Sequence, residues 1–117
     1  MTESTGALSA EDQKLVTLAR ATRARTDAAE GAAVRDLDGR TYAAATLDLP
    51  SLAVSALGVC LGMAVSSGAK GLEAAVLLTG ADAVSLEDLS ALRDLAGEGV
   101  PVHVGDVRGT VTGAVST

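Results

Sequence analysis

The sequence has almost no aromatic side chains. Among its 117 residues there is no Phe and no Trp, and Tyr42 is the single aromatic residue. Because aromatic rings normally bury large areas in a core, this core must consist of Leu, Val, Ala and closely packed Gly, of which there are 13. A chain of this length forms one domain. We expect burial between subunits to supply some of the area that rings would have buried.

The chain also has few cysteines and fewer basic than acidic residues. Cys60 is the only cysteine, which excludes an internal disulfide and favours a reducing, cytoplasmic location. The formal net charge of −6 argues against a nucleic-acid surface, which needs clustered Lys or Arg. One basic cluster, Arg20 to Arg25, is typical of the solvated end of a helix. The first residues show neither the basic nor the apolar region of a secretory signal.

One long stretch without charge, Leu49 to Ala69, leaves two interpretations open. Gly58 and Gly62 have the spacing of a transmembrane packing motif. Against a membrane span, the stretch contains Pro50 and several serines, and neither an aromatic belt nor a polybasic flank follows it. A helix buried on every side within a folded domain has the same pattern. We therefore expect no membrane segment, and a buried helix from Ser51 to Ser67.

Hydrophobic periodicity and turn signals predict the element order α-β-β-α-β-α-β-β. The predicted elements are a helix over Ala10–Arg25, strands at Gly31–Asp36 and Arg40–Thr46 joined through Asp38-Gly39, a helix over Ser51–Ser67, a buried strand at Leu72–Thr79, a helix from Ser85 to about Gly97, and strands at Pro101–Val104 and Val107–Thr112. This alternation predicts an α/β fold, a three-layer α-β-α arrangement with a five-stranded mixed sheet. We expect a single domain at residues 8–117 after a flexible tail at residues 1–7.

The element order and the local sequence resemble those of the cytidine deaminases. Several segments carry the resemblance: Ala53–Leu78 resembles the catalytic helix and the following strand, Gly31–Val34 the Gly-Ala-Ala strand entry, Asp38–Tyr42 the Asp-Gly-x-x-Tyr hairpin, Gly68–Leu72 the turn after the catalytic helix, and Val100–Val102 the entry to the fourth strand. Together they cover about Leu8 to Thr112. The resemblance implies the cytidine deaminase-like fold, a zinc cofactor, a nucleoside ligand and a homo-oligomer assembled through the second helix.

The positions that align with the family's zinc motifs hold residues of different chemistry. The family's helix opens with Cys-Ala-Glu or His-Ala-Glu, whereas this chain has Ser55, Ala56 and Leu57. A neutral hydroxyl is a poor zinc ligand, and Leu57 cannot transfer protons to or from a hydroxide. The family's Pro-Cys-x-x-Cys motif falls near Ser85 to Ser90, which contain neither Cys nor Pro. We therefore predict no catalytic residue and no metal cofactor.

The residues that align with the family's nucleoside contacts are also changed. Ala28 aligns with the Phe that packs on the pyrimidine, and Thr46-Leu47-Asp48 aligns with the Asn-x-Glu that holds the ribose. Asp48 can accept hydrogen bonds from a sugar hydroxyl, or it can simply be an acidic residue favoured before a helix. Thr46 and Asp48 are the candidate substrate-binding residues.

Other residues with functional chemistry have ordinary structural explanations. His103 alternates with valines in a strand and has no second ligand nearby, which favours a partly exposed structural histidine over a metal ligand. Cys60 lies in the middle of an apolar helix, as a buried inert thiol does. Glu87 and Asp88 can bind a hard cation, but carboxylates are common at a helix N-terminus.

Three functions remain open on the sequence alone. The first is a non-catalytic cytidine deaminase homologue that keeps the fold and its oligomeric assembly. The second is a binding module that accepts a nucleoside or a related small molecule in the old pocket. The third is an active hydrolase, either through an unrecognised site or as a zinc-dependent cytidine deaminase if the motif alignment is wrong. Because metal-lowered water acidity supplies the nucleophile of a zinc deaminase, the changed motifs favour the first.

Overall fold

A computed structural model describes residues 8–117, and the predicted tail at residues 1–7 lies outside the described part. The elements in chain order are α1 (Ala10–Thr26), β1 (Gly31–Asp36), β2 (Thr41–Ala45), β3 (Leu47–Leu49), β4 (Leu52–Val54), α2 (Ala56–Ser66), β5 (Leu72–Leu78), α3 (Leu86–Ala96), β6 (Pro101–Gly105) and β7 (Val111–Ser116). The predicted helices and the five main strands are all present.

The sheet has five strands in the order β2-β1-β5-β6-β7. Only β5 and β6 are parallel, so the sheet is mixed, as predicted. Side chains alternate between its faces: Val76 and Leu78 pack in the cluster below α1, whereas Ala75 and Leu77 pack in the cluster that contains α2 residues. The sheet therefore lies between α1 on one face and α2 with α3 on the other, which confirms the three-layer architecture.

Serine residues determine where the helices begin. Each helix has a serine cap whose hydroxyl accepts a hydrogen bond from the backbone amide three residues later: Ser9 from Asp12, Ser55 from Gly58 and Ser85 from Asp88. Such caps satisfy amides that have no partner inside the helix. Ser9 with Asp12 and Ser85 with Asp88 have the spacing of a capping box, which is visible in the sequence. The cap at Ser55 has no such signal, because it lies inside a long apolar stretch.

The predicted start of the second helix at Ser51 is wrong. Pro50 lies in a turn between β3 and β4, which pair as a small antiparallel hairpin, and α2 begins only at Ala56. Proline is compatible with a turn as well as with a first helical turn, and the Ser55 cap decides between the two. No helix within residues 8–117 is long and apolar enough to cross a membrane.

The predicted last strand at Val107–Thr112 is also displaced. Its first residues form the turn between β6 and β7, and the strand runs over Val111–Ser116. The turn forms because the Asp106 side chain accepts hydrogen bonds from the backbone amides of Arg108 and Thr110. A carboxylate that caps its own turn competes with the strand conformation.

The turn between β1 and β2 is built around a buried carboxylate. Asp36 accepts hydrogen bonds from the amides of Asp38 and Arg40, and the Tyr42 hydroxyl donates to its other oxygen at 2.9 Å. Burial alone would raise the pKa of Asp36, but these hydrogen bonds outweigh it and hold the pKa below its usual value. The only aromatic ring of the chain is thus fixed at this hairpin.

Small residues let the layers approach closely, as the composition predicts. A Cβ added to Gly31 would collide with the carbonyl oxygen of Ala19 and lie 2.6 Å from the Cβ of Arg23, so α1 rests directly on the start of β1. On the other face Cys60 is fully buried. Its predicted burial is confirmed; burial raises the pKa of the thiol to about 12, which favours an unreactive thiol.

Candidate functional site

The N-termini of α2 and α3 meet through one short hydrogen bond. The Ser55 hydroxyl donates to Oδ1 of Asp88 at 2.7 Å, and it accepts from the Gly58 amide at 3.0 Å. On α3, the Ser85 hydroxyl accepts from the Asp88 amide at 3.1 Å. Residues of both aligned zinc motifs, Ser55 from the first and Asp88 from the second, are therefore in direct contact. We call this contact the Ser55–Asp88 pair.

Leu57 lies immediately beyond this contact and is part of the core. Its side chain is 1% exposed and belongs to the apolar cluster that includes Val34, Cys60 and Leu77. At the aligned position the family has a carboxylate that moves protons. This chain places hydrocarbon there, which can neither accept nor donate a proton.

The described residues do not fit a zinc ion at this position. Zinc in proteins is held by Cys, His, Asp or Glu side chains, with three protein ligands in catalytic sites. Of the two residues in contact, only Asp88 is a usual zinc ligand, and its Oδ1 atom already accepts a hydrogen bond from the Ser55 hydroxyl. Within residues 8–117, no three His, Cys, Asp or Glu side chains lie close enough together to hold a metal ion.

The contact to Asp88 was missed at the sequence level. The sequence pointed to Ser55 and to the region from Ser85 to Ser90, but it left Asp88 as an ordinary acidic residue. The available signal was the spacing of Ser85 and Asp88, which is that of Cys-x-x-Cys. Sequence spacing does not show a side-chain bond between residues 33 positions apart.

A cleft of about 300 Å³ brings together the residues that align with the family's nucleoside contacts. It is lined by Thr26, Asp27, Ala28, Ala29, Thr46 and Asp48. The hairpin β3–β4 carries one side of it and pairs Leu47 with Val54, the residue before Ser55. The aligned positions Ala28, Thr46 and Asp48 therefore do share one cleft.

The two candidate binding residues, Thr46 and Asp48, differ in whether their side chains are already bonded within the chain. The Thr46 hydroxyl accepts a hydrogen bond from the Glu30 amide at 2.9 Å, which links the end of β2 to the segment before β1. Glu30 in turn accepts a hydrogen bond from the Thr79 hydroxyl at 2.6 Å. Asp48 is exposed at the hairpin. The cleft thus offers exposed carboxylate groups, while the hydroxyl of Thr46 already has a structural partner.

A separate ionic network lies on the opposite face of the sheet, under the first turn of α1. Asp12 accepts from Arg35 and contacts His103, both at 2.9 Å, and Arg35 also donates to Glu73 at 2.6 Å. Desolvation would raise the pKa of Asp12, but its bonds to Arg35 and His103 lower it overall. His103 is therefore a structural partner of Asp12 of intermediate exposure, in line with the predicted partly exposed structural histidine.

A second cavity lies apart from the cleft of Thr46 and Asp48, and some of its lining residues flank Asp12 on α1. It measures about 440 Å³ and lies on the α1 side, lined by Ala10, Gln13, Lys14, Thr17, Leu18 and Thr41. Its lining is mainly aliphatic carbon, and Lys14 is paired with Glu11. The smaller cleft is the better candidate site, because it collects polar groups at the positions aligned with a ligand site.

Comparisons with known proteins agree with this fold. A family model described as cytidine deaminase-like matches residues 8–109. No curated protein sequence matches the chain significantly.

Solved structures of three cytidine deaminases are similar to the chain. The enzyme from Burkholderia pseudomallei has a TM-score of 0.76 at 19% identity, over 88% of this chain and 90% of its own. That from Mycobacterium leprae has a TM-score of 0.70 at 18% identity, over 89% and 93%. That from Mycobacterium tuberculosis has a TM-score of 0.69 at 19% identity, over 80% and 85%. At these identities the likeness concerns the fold.

Proposed function

Because the chain belongs to the cytidine deaminase-like family, we propose that it is a non-catalytic member, which keeps the family fold and acts through oligomeric assembly without zinc hydrolysis of cytidine. The observation that carries the proposal is the replacement of acid–base and ligand groups by Leu57 and the Ser55–Asp88 pair. Deamination by a zinc enzyme needs a metal-bound hydroxide and a carboxylate beside it. This chain provides neither set of groups at the aligned positions.

The experiment is a combined metal analysis and activity assay. Purified protein is incubated with zinc, dialysed, and analysed for zinc per chain, and turnover of cytidine and deoxycytidine is then measured. The cytidine deaminase from Mycobacterium tuberculosis serves as the positive control in the same buffer. We expect no stoichiometric zinc and no turnover. About one zinc per chain together with metal-dependent turnover would overturn the proposal.

Assembly is proposed to use the outer face of α2. One face of this helix packs inside the chain through Leu57, Cys60 and Ala64, but Val65 is 55% exposed and Gly62 has open space around it. An exposed apolar helix face without charge is a common oligomer contact. This narrows the predicted interface from the whole segment Ser51–Ser67 to the outer residues of α2.

The assembly test depends on choosing the right face. Ala64 is fully buried within its own chain, so a charge there would disturb folding rather than association. Gly62→Asp and Val65→Asp place the charge on the outer face, and Ala21→Asp is the matched control on exposed α1. We expect light scattering to give an oligomer for the wild type and Ala21→Asp, and smaller species for the other two. A monomeric wild type across a wide concentration range would reject the assembly proposal.

A second function, small-molecule binding, is favoured by one observation: Asp48 and Thr46 line the same cleft. Its volume is at the lower end of ligand pockets, and its carboxylates suit hydroxyl donors such as a ribose. If this function is present, cytidine or uridine raises the Tm of the wild type, and Asp48→Asn loses the shift while Asp38→Asn, in an exposed turn, keeps it. No shift with any nucleoside would reject this function.

A further inference from the structure

We propose that the Ser55–Asp88 pair is a metal-free clasp, which links the N-termini of α2 and α3 where relatives of this fold would use a bound ion. The inference rests on the proposed function, because it assumes that the position is not used for zinc chemistry. It adds a role for the altered motif residues: they are the connection that keeps this part of the fold together without metal.

The geometry of the pair suits this role. At 2.7 Å between hydroxyl and carboxylate oxygens, the bond has the length of a well-formed O–H···O hydrogen bond, and its acceptor is a carboxylate. Both residues are partly buried; Ser55 is the N-cap of α2 and Asp88 lies in the first turn of α3. The bond therefore acts between two rigid elements rather than between loops.

Each partner is held in place by its own helix. The Ser55 hydroxyl accepts a hydrogen bond from the Gly58 amide and donates one to Asp88, so it acts as acceptor and donor at the same time. The Asp88 amide is fixed by the Ser85 hydroxyl. A Cβ at position 58 would lie 3.0 Å from the Ser55 oxygen, so Gly58 leaves room for this hydroxyl.

The chemistry of the pair also opposes a metal. Asp88 is the single anionic side chain of the contact, and Ser55 would offer a cation only a neutral oxygen. A transition metal has higher affinity for thiolate and imidazole than for a hydroxyl. The pair is therefore complete as it stands, and folding of this region does not require an ion.

The test is a double-mutant cycle on thermal unfolding, using Ser55→Ala, Asp88→Ala and the combined variant. Because a hydrogen bond to a charged group is lost, we expect each single change to lower the Tm by about 5 to 10 °C. The combined variant should lose clearly less than the sum of the two. Asp88→Asn keeps an acceptor oxygen and should lose less than Asp88→Ala.

Ser9→Ala is the matched control for the capping part of the effect. Ser9 caps α1 with the same geometry, accepting the Asp12 amide at 3.0 Å, and has no bond to another helix within residues 8–117. Its loss should be smaller than that of Ser55→Ala, and additive with Asp88→Ala. Wild-type Tm should not change with EDTA or with zinc.

Two outcomes would overturn the clasp. Additive losses for Ser55→Ala and Asp88→Ala would show that the residues are not coupled, and a fall of the wild-type Tm in EDTA would show that an ion stabilises the fold. Additive losses would leave the non-catalytic function standing. Cytidine turnover by the wild type would instead reject that function, whatever the coupling proved to be.

Discussion

Replacing Leu57 by glutamate restores the group that the family's helix carries at this position, and it tests directly whether the surrounding core still accepts a carboxylate. Leu57 is 1% exposed and contacts a cluster of aliphatic side chains. We expect Leu57→Glu to be strongly destabilised and inactive, because the side chain at this position packs in an apolar cluster and no group of three His, Cys, Asp or Glu side chains within residues 8–117 could hold a metal ion for the new carboxylate to serve.

The magnitude follows from three contributions. Losing a buried leucine from a packed core costs about 2 to 5 kcal/mol, of which the glutamate methylenes recover a part. Burying a carboxyl without a partner costs about 1 to 3 kcal/mol more. An acid in the first turn of a helix regains about 0.3 to 1 kcal/mol from the helix dipole. The expected net loss is about 3 to 5 kcal/mol, a large share of the roughly 5 to 15 kcal/mol of a typical domain.

Urea unfolding measures this loss, with Leu57→Met and Leu57→Gln as controls. Leu57→Met conserves volume and should cost less than about 1.5 kcal/mol. Leu57→Gln has nearly the shape of glutamate without its charge. Burial raises the folded pKa of a carboxyl above its unfolded value of about 4.3. The penalty of the glutamate variant relative to the glutamine variant therefore grows as pH rises from that value, and becomes constant above the folded pKa.

Adding Ser55→Cys to Leu57→Glu should still give no deaminase activity, because one thiolate cannot supply the three protein ligands of a catalytic zinc. The reasoning would be refuted if Leu57→Glu were as stable as Leu57→Met at neutral pH. It would also be refuted if the double variant bound zinc and turned over cytidine. The chain would then have to contain the other zinc ligands, which the alignment with the family's motifs does not find.

Three further predictions concern other parts of the fold. The pKa of Asp36 is lowered in the folded state, so the stability that its carboxylate contributes is present above about pH 3.8 and is lost as pH falls through the folded pKa. Asp36→Asn should therefore be less stable than the wild type at neutral pH, and its stability in urea unfolding should fall less steeply at acid pH. An equally steep fall would contradict this. The raised pKa of Cys60 predicts that thiol reagents modify it only at the rate of unfolding, and rapid labelling of native protein would contradict the buried position. Gly31→Ala should lower the free energy of unfolding by about 1 to 3 kcal/mol through overpacking. Gly62→Ala, which has open space around it, should raise it by up to about 1 kcal/mol through helix propensity. Equal effects of the two changes in chemical denaturation would show that the contact between α1 and β1 adjusts without cost.

The architecture could be predicted because several independent signals coincide in the sequence. The serine caps at Ser9 and Ser85 and the Asp38-Gly39 turn mark boundaries by local chemistry. The uninterrupted apolar run of β5 indicates a strand covered on both faces. The structure has each of these features at the predicted place.

The segment before α2 could not be predicted by the same means. Between Leu49 and Ala69 there is no charge to separate exposed from buried positions, so a hairpin and a helix have the same composition. Pro50 is compatible with either. The difference depends on Ser55, whose role as a cap becomes visible only once its bonds to Gly58 and Asp88 are known.

The candidate site was predicted as positions rather than as contacts. The resemblance selected Ser55, Leu57, Thr46 and Asp48, and Thr46 and Asp48 do line one cleft. Whether either of them binds a ligand stays a prediction. The ionic network of Asp12, Arg35, Glu73 and His103 had no sequence signal, since its members are up to 91 positions apart and meet only through the pairing of β1, β5 and β6 and the packing of α1 on these strands.

The lone ring of Tyr42 makes the chain its own spectroscopic probe. Since there is no tryptophan and no other tyrosine, near-ultraviolet absorbance and intrinsic emission come almost entirely from this one phenol. Its hydroxyl is bonded to Asp36 at the β1–β2 turn, and its side chain packs against the cluster that contains α2 residues, so the signal reports on that hairpin and on its packing against α2. Comparing tyrosine emission with far-ultraviolet circular dichroism during denaturation would therefore separate loss of packing around the β1–β2 hairpin from loss of helical structure, without any label.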